Sequence, residues 1–136
     1  MHFMRAYISV SPDYRKKLSK EFIALGMALS GVNADAYIFA DKHQCLEGEE
    51  QAYLSHAMQQ IDASNFLIVE ATHPSVLSCI ELGYAKARKK PIVYLQHTDA
   101  KVEKLMAALG NFHILYESPK DLFDQMTEFL KNVLPQ

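Results

Sequence analysis

Apolar positions along the 136-residue chain switch repeatedly between continuous strand-like runs and stripes at helical spacing. MRAYISV near the start is a buried-strand run, and Leu18, Phe22, Leu25 and Leu29 then recur on one helical face between Asp13 and Ser30. A shorter strand, AYIF, spans Ala36 to Phe39, and a polar loop follows from Asp41 to Gly48. Leu54, Ala57, Met58 and Ile61 mark a second helix. NFLIVEA, from Asn65 to Ala71, has the unbroken apolar character of a central parallel strand covered on both faces. A third helix follows from Ser75 to Arg88, then the strand PIVYLQ, a helix striped by Val102, Leu105, Met106 and Leu109, and the strand FHILY. A last helix presents Leu122, Phe123, Met126, Phe129, Leu130 and Val133.

Strict alternation of strand and helix with short connections predicts parallel strands joined by right-handed crossovers. The expected fold class is α/β: a three-layer, doubly wound, five-stranded parallel sheet of the flavodoxin type (Rossmann-like), with residues 1–136 as one domain. Ligands of such sheets bind outside the carboxyl ends of the strands, beside the switch in strand order. The candidate site is therefore built from the loops after the first and third strands, SVSPDYR and EATHPS.

Composition narrows the function. With 14 Lys+Arg against 16 Asp+Glu the net charge is −2, which argues against nucleic acid or an anionic membrane surface as partner, since both reward a basic excess. The basic run Lys86, Arg88, Lys89, Lys90 reads as the solvated end of a helix. No apolar run reaches the ~20 residues of a membrane helix, and MHFMRAYISV lacks a signal-peptide layout, so a cytoplasmic location is expected. Cys45 and Cys79 form no CxxC pair and read as reduced thiols. The histidines His2, His43, His56, His73, His97 and His113 stand singly, so no metal site is expected.

Glu81 is the most informative residue. It falls inside the stripe formed by Leu77, Ile80 and Tyr84, and a carboxylate facing a core boundary is costly unless paired or hydrogen-bonded. It is either a functional acid or an edge glutamate that pairs with Arg88 or Lys86. Ser75 stands where a helix begins, as a cap or as part of an anion site at the helix N-terminus. Ser9 and Ser11, leaving the first strand, have the same two readings, with Arg15 and Lys16 close behind in sequence. Glu70 could be a second carboxylate, Asp62 reads as helix-terminal, and Cys79 and Tyr7 read as buried core. No GxGxxG or GxxxxGK[ST] occurs, which disfavours a dinucleotide site or a P-loop.

The segment ASNFLIVEATHPSVLSCIELGYAKARKKPIVYL resembles the nucleoside 2-deoxyribosyltransferase family, above all in ELGYA on the helix after the third strand. AYISVS resembles that family's first strand. The resemblance implies a glutamate nucleophile at the anomeric carbon, matching Glu81, oriented by a tyrosine that matches Tyr7. Such a carboxylate would follow the covalent route of retaining glycosidases, without a cofactor.

The family has transferases acting on free nucleosides and hydrolases acting on nucleoside 5′-monophosphates. Where the transferases place an aspartate against the 5′-hydroxyl, the hydrolases place a phosphate-binding serine; here that position is Ser75, after Pro74. Ser11 matches the serine of the hydrolases' first loop. The resemblance thus implies a 5′-monophosphate substrate, with Ser11 and Ser75 near the 5′ group; Ser9 and Arg15 are further substrate-binding candidates from their place after the first strand. The chain departs from the pattern at Ala57, where the family has an acidic general acid or base, which leaves His56 as candidate substitute. It also departs at Val10, Leu77 and Cys79, which match small glycines. The competing expectation is a catalytically impaired nucleotide-binding or interaction domain of the same fold. By resemblance the protein is expected to be a homo-oligomer, and its partner is a small-molecule nucleoside or nucleotide.

Overall fold

The computed structural model describes residues 4–133, which leaves His2 outside the described residues. Its strands are the apolar runs: β1 (Met4–Val10), β2 (Ala34–Ile38), β3 (Phe66–Glu70), β4 (Ile92–His97) and β5 (Phe112–Tyr116). All pair in parallel, in the order β2-β1-β3-β4-β5. That order reverses between β1 and β3, the switch point at which doubly wound sheets of this type open a crevice. The helices are α1 (Ser19–Ser30), α2 (Phe39–Lys42), α3 (Glu50–Asp62), α4 (Val76–Ala87), α5 (Lys104–Ala108) and α6 (Pro119–Val133).

Successive strand residues point to opposite faces, so each central strand contributes to two cores. Ala6, Ile8 and Val10 of β1, with Phe66 and Ile68 of β3, pack against Leu25 and Leu29 of α1 and Leu122, Met126 and Leu130 of α6. Tyr7, Leu67, Val69 and Tyr94 face the other way, onto Ala57 and Ile61 of α3 and Leu82 and Ala85 of α4. Leu25, Leu29, Leu82 and Leu122 are fully buried, each worth roughly 1.5–3 kcal/mol by transfer from water. The fold class expected from the alternation is the one observed.

Local differences from the expected elements have physical causes. The helix expected from Asp13 begins as a 3-10 helix over Pro12–Leu18, with Pro at its start, and becomes α-helical at Ser19. The second strand lies earlier than AYIF, at Ala34–Ile38, because Phe39 turns into the core and opens the short α2. In the fourth stripe only Met106 is buried, while Val102 and Leu105 are exposed, so that helix shrinks to Lys104–Ala108.

The end of α4 is set by the basic run. Lys89 adopts φ 61°, and the Lys90 N–H reaches the Ala85 carbonyl at 3.0 Å, a 6→1 closure of the last turn. Arg88 then makes two hydrogen bonds to Asp62 at the end of α3, at 2.8 and 3.0 Å. No helix among the described residues is long and apolar enough to cross a membrane.

Candidate active site

The helix that follows β3 starts on a real cap. Ser75 is extended (φ −140°, ψ 160°), and its hydroxyl accepts the Ser78 N–H at 3.1 Å. The face of α4 turned to the sheet is then Ser78, Glu81, Leu82 and Ala85, not the expected stripe of Leu77, Ile80 and Tyr84. Ile80 is exposed, and the Tyr84 hydroxyl donates to Asp62 at 2.7 Å. Cys79, expected in the core, is exposed, because it lies on the outer side of the helix.

Glu81 is only 2% exposed, yet both its oxygens are engaged. The Tyr7 hydroxyl donates to Oε2, and the Ser9 hydroxyl donates to Oε1 at 2.7 Å. Tyr7 and Ser9 are separated by one residue on β1 and so project from the same face, towards α4. The edge reading of Glu81 is thereby excluded: its partners are neutral hydroxyls in the interior, and Arg88 belongs to Asp62. Burial pushes the Glu81 carboxyl up to about 7, although the Tyr7 and Ser9 hydrogen bonds pull it down. The Tyr7 phenol is pushed far up, first by burial and then by the neighbouring carboxylate. It remains a donor throughout the neutral range.

Ser78 extends the network and escaped the sequence reading. Its hydroxyl lies 3.1 Å from those of both Ser9 and Ser75, so a line of hydroxyls runs from the N-cap of α4 to Glu81. Its spacing of three from both Ser75 and Glu81 was the available signal. Ser11 is buried, but its hydroxyl caps no helix and makes no hydrogen bond among the described residues. Arg15 is committed elsewhere: it forms a two-point ion pair with Asp41, at 2.9 and 3.0 Å, and lies over the Phe22 ring.

On the side of β2 an aromatic series leads away from the carboxylate. The Tyr7 ring stacks on Phe39 with centroids 6.1 Å apart, and Phe39 on His43 at 4.6 Å. The exposed His56 ring stacks on His43 at 5.2 Å. His56 thus reaches His43, while Glu81 is held by Tyr7 and Ser9; Ala57 turns into the core with Tyr7. His43 also meets the Tyr37 hydroxyl at 3.2 Å. It lines an open cleft of about 720 Å³ together with Pro12, Lys16, Asp41, Cys45 and Tyr53. Burial, and then the charge of Glu81, push the Tyr53 phenol up.

Glu70, the possible second carboxylate, lies on the opposite face of the sheet. Its alternation follows Phe66 and Ile68, and it accepts from the Tyr116 hydroxyl. It also accepts the Thr72 N–H at 2.7 Å and the Thr72 hydroxyl at 2.9 Å. Burial raises its carboxyl, with these hydrogen bonds opposing. Glu70 therefore anchors the loop after β3 and is not paired with Glu81.

Solved structures share this architecture. The CMP N-glycosidase BcmB of Clostridium botulinum superposes with a TM-score of 0.66 at 17% identity, over 93% of this chain and 99% of that one. A 2-deoxyribosyltransferase of Bacillus psychrosaccharolyticus gives 0.63 at 12% identity, over 88% and 90%. The chain has the fold of the nucleoside 2-deoxyribosyltransferase family. A 3-dehydroquinate dehydratase-like protein of Bifidobacterium longum also superposes, at 0.56 and 9% identity, over 99% and 100%. The same fold thus accommodates different chemistries, and function has to be argued from the site. No protein-family model and no curated protein matches the sequence.

Proposed function

We propose that the protein breaks the N-glycosidic bond of a nucleoside 5′-monophosphate, by hydrolysis or by 2-deoxyribosyl transfer, with Glu81 as nucleophile. The observation behind this is that Glu81, 2% exposed, is held by Tyr7 and Ser9 beside the sheet's switch point. A fixed, partly desolvated carboxylate suits an oxocarbenium-like anomeric centre. In the first step a Glu81 oxygen bonds to C1′ while the C1′–N bond breaks and the base departs with the bonding pair, taking up a proton. In the second step water, or the nitrogen of another base, attacks C1′ and gives up a proton to solvent while the C1′–O bond to Glu81 breaks and Glu81 leaves as carboxylate. Tyr7 is a positioning residue, since its hydroxyl fixes the orientation of the nucleophile.

The monophosphate preference rests on the other end of the hydroxyl line. Ser75 and the N-terminus of the twelve-residue α4 offer donors and a favourable dipole. Ser11, only 4% exposed and with a hydroxyl that caps no helix, supplies a second donor. Arg15 assists indirectly, through its ion pair with Asp41 on the cleft wall. The aromatic series and the cleft beside it suit the planar base, with His56 and His43 as the proton source in place of the carboxyl that Ala57 does not provide. The assembly is taken to be a homo-oligomer, and sedimentation of the full chain tests that.

Incubation with CMP, dCMP and the matching nucleosides, with free base followed chromatographically, tests the reaction. Base release from a monophosphate, abolished in Glu81→Ala, is the expected result. Absence of free base at high enzyme concentration overturns it. Ala57 in the core favours one second reading, a nucleotide-binding domain without turnover, for which calorimetry would show nucleotide binding and no release.

A further inference from the structure

The loops after β1 and β3 are joined by a ring contact that the reaction outlined above does not use. Tyr14, in the 3-10 helix, and His73, in the β3–α4 loop, stack with centroids 3.8 Å apart and planes inclined by only 7°. Both are half-buried. Lys17 lies over the Tyr14 ring at 5.2 Å.

Each partner is tied to one of the two hydroxyls assigned to the 5′ group. The Tyr14 N–H donates to the Ser11 carbonyl at 3.0 Å, so the stacked ring and the Ser11 hydroxyl belong to one tight turn. His73 precedes the cap Ser75 by two residues, and its own loop leaves from a fixed base. There Glu70 binds Thr72 twice, and the Thr72 oxygen also accepts the His97 N–H at 3.0 Å. The stack therefore fixes one serine-bearing turn against the other. It adds a direct link between the two turns beyond the β1–β3 pairing at Val10 and Glu70 and the Ser9–Ser78 hydroxyl contact.

We propose that the Tyr14–His73 stack is a specificity-determining clasp, which holds the loops after β1 and β3 so that the Ser11 hydroxyl and the N-terminus of α4 converge on one phosphoryl group. The proposal rests on the monophosphate reading given above. The clasp acts on phosphorylated ligands only. Glu81, Tyr7 and Ser9 are positioned by β1 and α4, and His43, Cys45 and Tyr53 of the cleft lie outside both clasped loops, so the sugar and the β2 side of the base site keep their contacts when the stack is removed.

Equilibrium calorimetry of the full chain with CMP, dCMP, cytidine and deoxycytidine tests this, using Tyr14→Ala, His73→Ala and the stack-preserving Tyr14→Phe and His73→Phe. Thermal melts establish that each variant is folded. The alanine variants are expected to bind the monophosphates about tenfold more weakly, about 1.4 kcal/mol, and the nucleosides within about twofold of wild type. The phenylalanine variants are expected to restore monophosphate binding to within about threefold. If wild type binds monophosphate and the alanine variants bind it equally well, or lose nucleoside and monophosphate binding alike, the clasp is refuted and the monophosphate reading stands. If wild type binds none of the four probes, both are overturned.

Discussion

The Tyr7 hydroxyl donates to the Glu81 carboxylate across the interface of β1 and α4, between residues 74 positions apart in sequence. The strand supplies the donor and the helix the acid, and neither element needs a loop to position the pair. Tyr7→Phe keeps the ring against Phe39 and removes only this donor. A hydrogen bond to a charged group is worth about 1.5–3 kcal/mol, so the Glu81 carboxyl should rise by about one to two pH units. The expected outcome is that the pH–rate profile for base release moves to higher pH, with roughly 5- to 50-fold lower activity at pH 7. An unchanged profile would remove Tyr7 from the positioning role.

Glu81 should also make stability pH-dependent. The folded protein holds this proton up to about 7, against 4.5 for an ordinary glutamate, so the native state binds more protons than the unfolded chain between those values. Stability is then greatest below about 4.5 and falls as pH rises to about 7, by roughly 3 kcal/mol in total from this group. Glu81→Gln cannot ionise, so its denaturation midpoint relative to wild type should climb between pH 5 and pH 8. Catalysis has the opposite requirement, because the nucleophile must be ionised, and activity is expected to rise through pH 7. Parallel denaturant titrations across this range check the first, and initial rates the second.

Ser11 and Ser75 should separate binding from folding. Ser75→Ala removes the cap of α4 and should cost about 1 kcal/mol of stability. Ser11→Ala removes a hydroxyl with no partner among the described residues and should leave the melting temperature nearly unchanged. Both are expected to weaken monophosphate binding while sparing the unphosphorylated nucleoside. Equal loss for the two ligands would place the serines away from the 5′ group.

His56 is exposed and stacked on His43, so its removal should not disturb the core. If this pair delivers the proton to the departing base, His56→Ala should lower turnover by tenfold or more; general acids typically contribute about 10²–10⁴. The melting temperature should stay at the wild-type value. Turnover within about twofold of wild type would exclude His56 from the chemistry.

The sequence alone determined the layers and pointed to Glu81. Continuous apolar runs such as FLIVE and PIVYL demand cover on both faces, and their strict alternation with helical stripes leaves few arrangements other than a parallel doubly wound sheet. ELGYA on the helix after the third strand singled out Glu81, and the fold that this resemblance implies is the fold observed. Tertiary structure decided which face of α4 looks inward. Leu77 and Ile80 are apolar, but the helix turns Ser78, Glu81, Leu82 and Ala85 to the sheet, because the Tyr7 and Ser9 hydroxyls of β1 satisfy the carboxylate there. It also decided that Glu70 faces away from Glu81, that Arg15 is spent on Asp41, and that Tyr14 meets His73. These are contacts between distant segments. Periodicity reports only which side of its own element a residue occupies; strand register and loop packing fix which partner stands opposite.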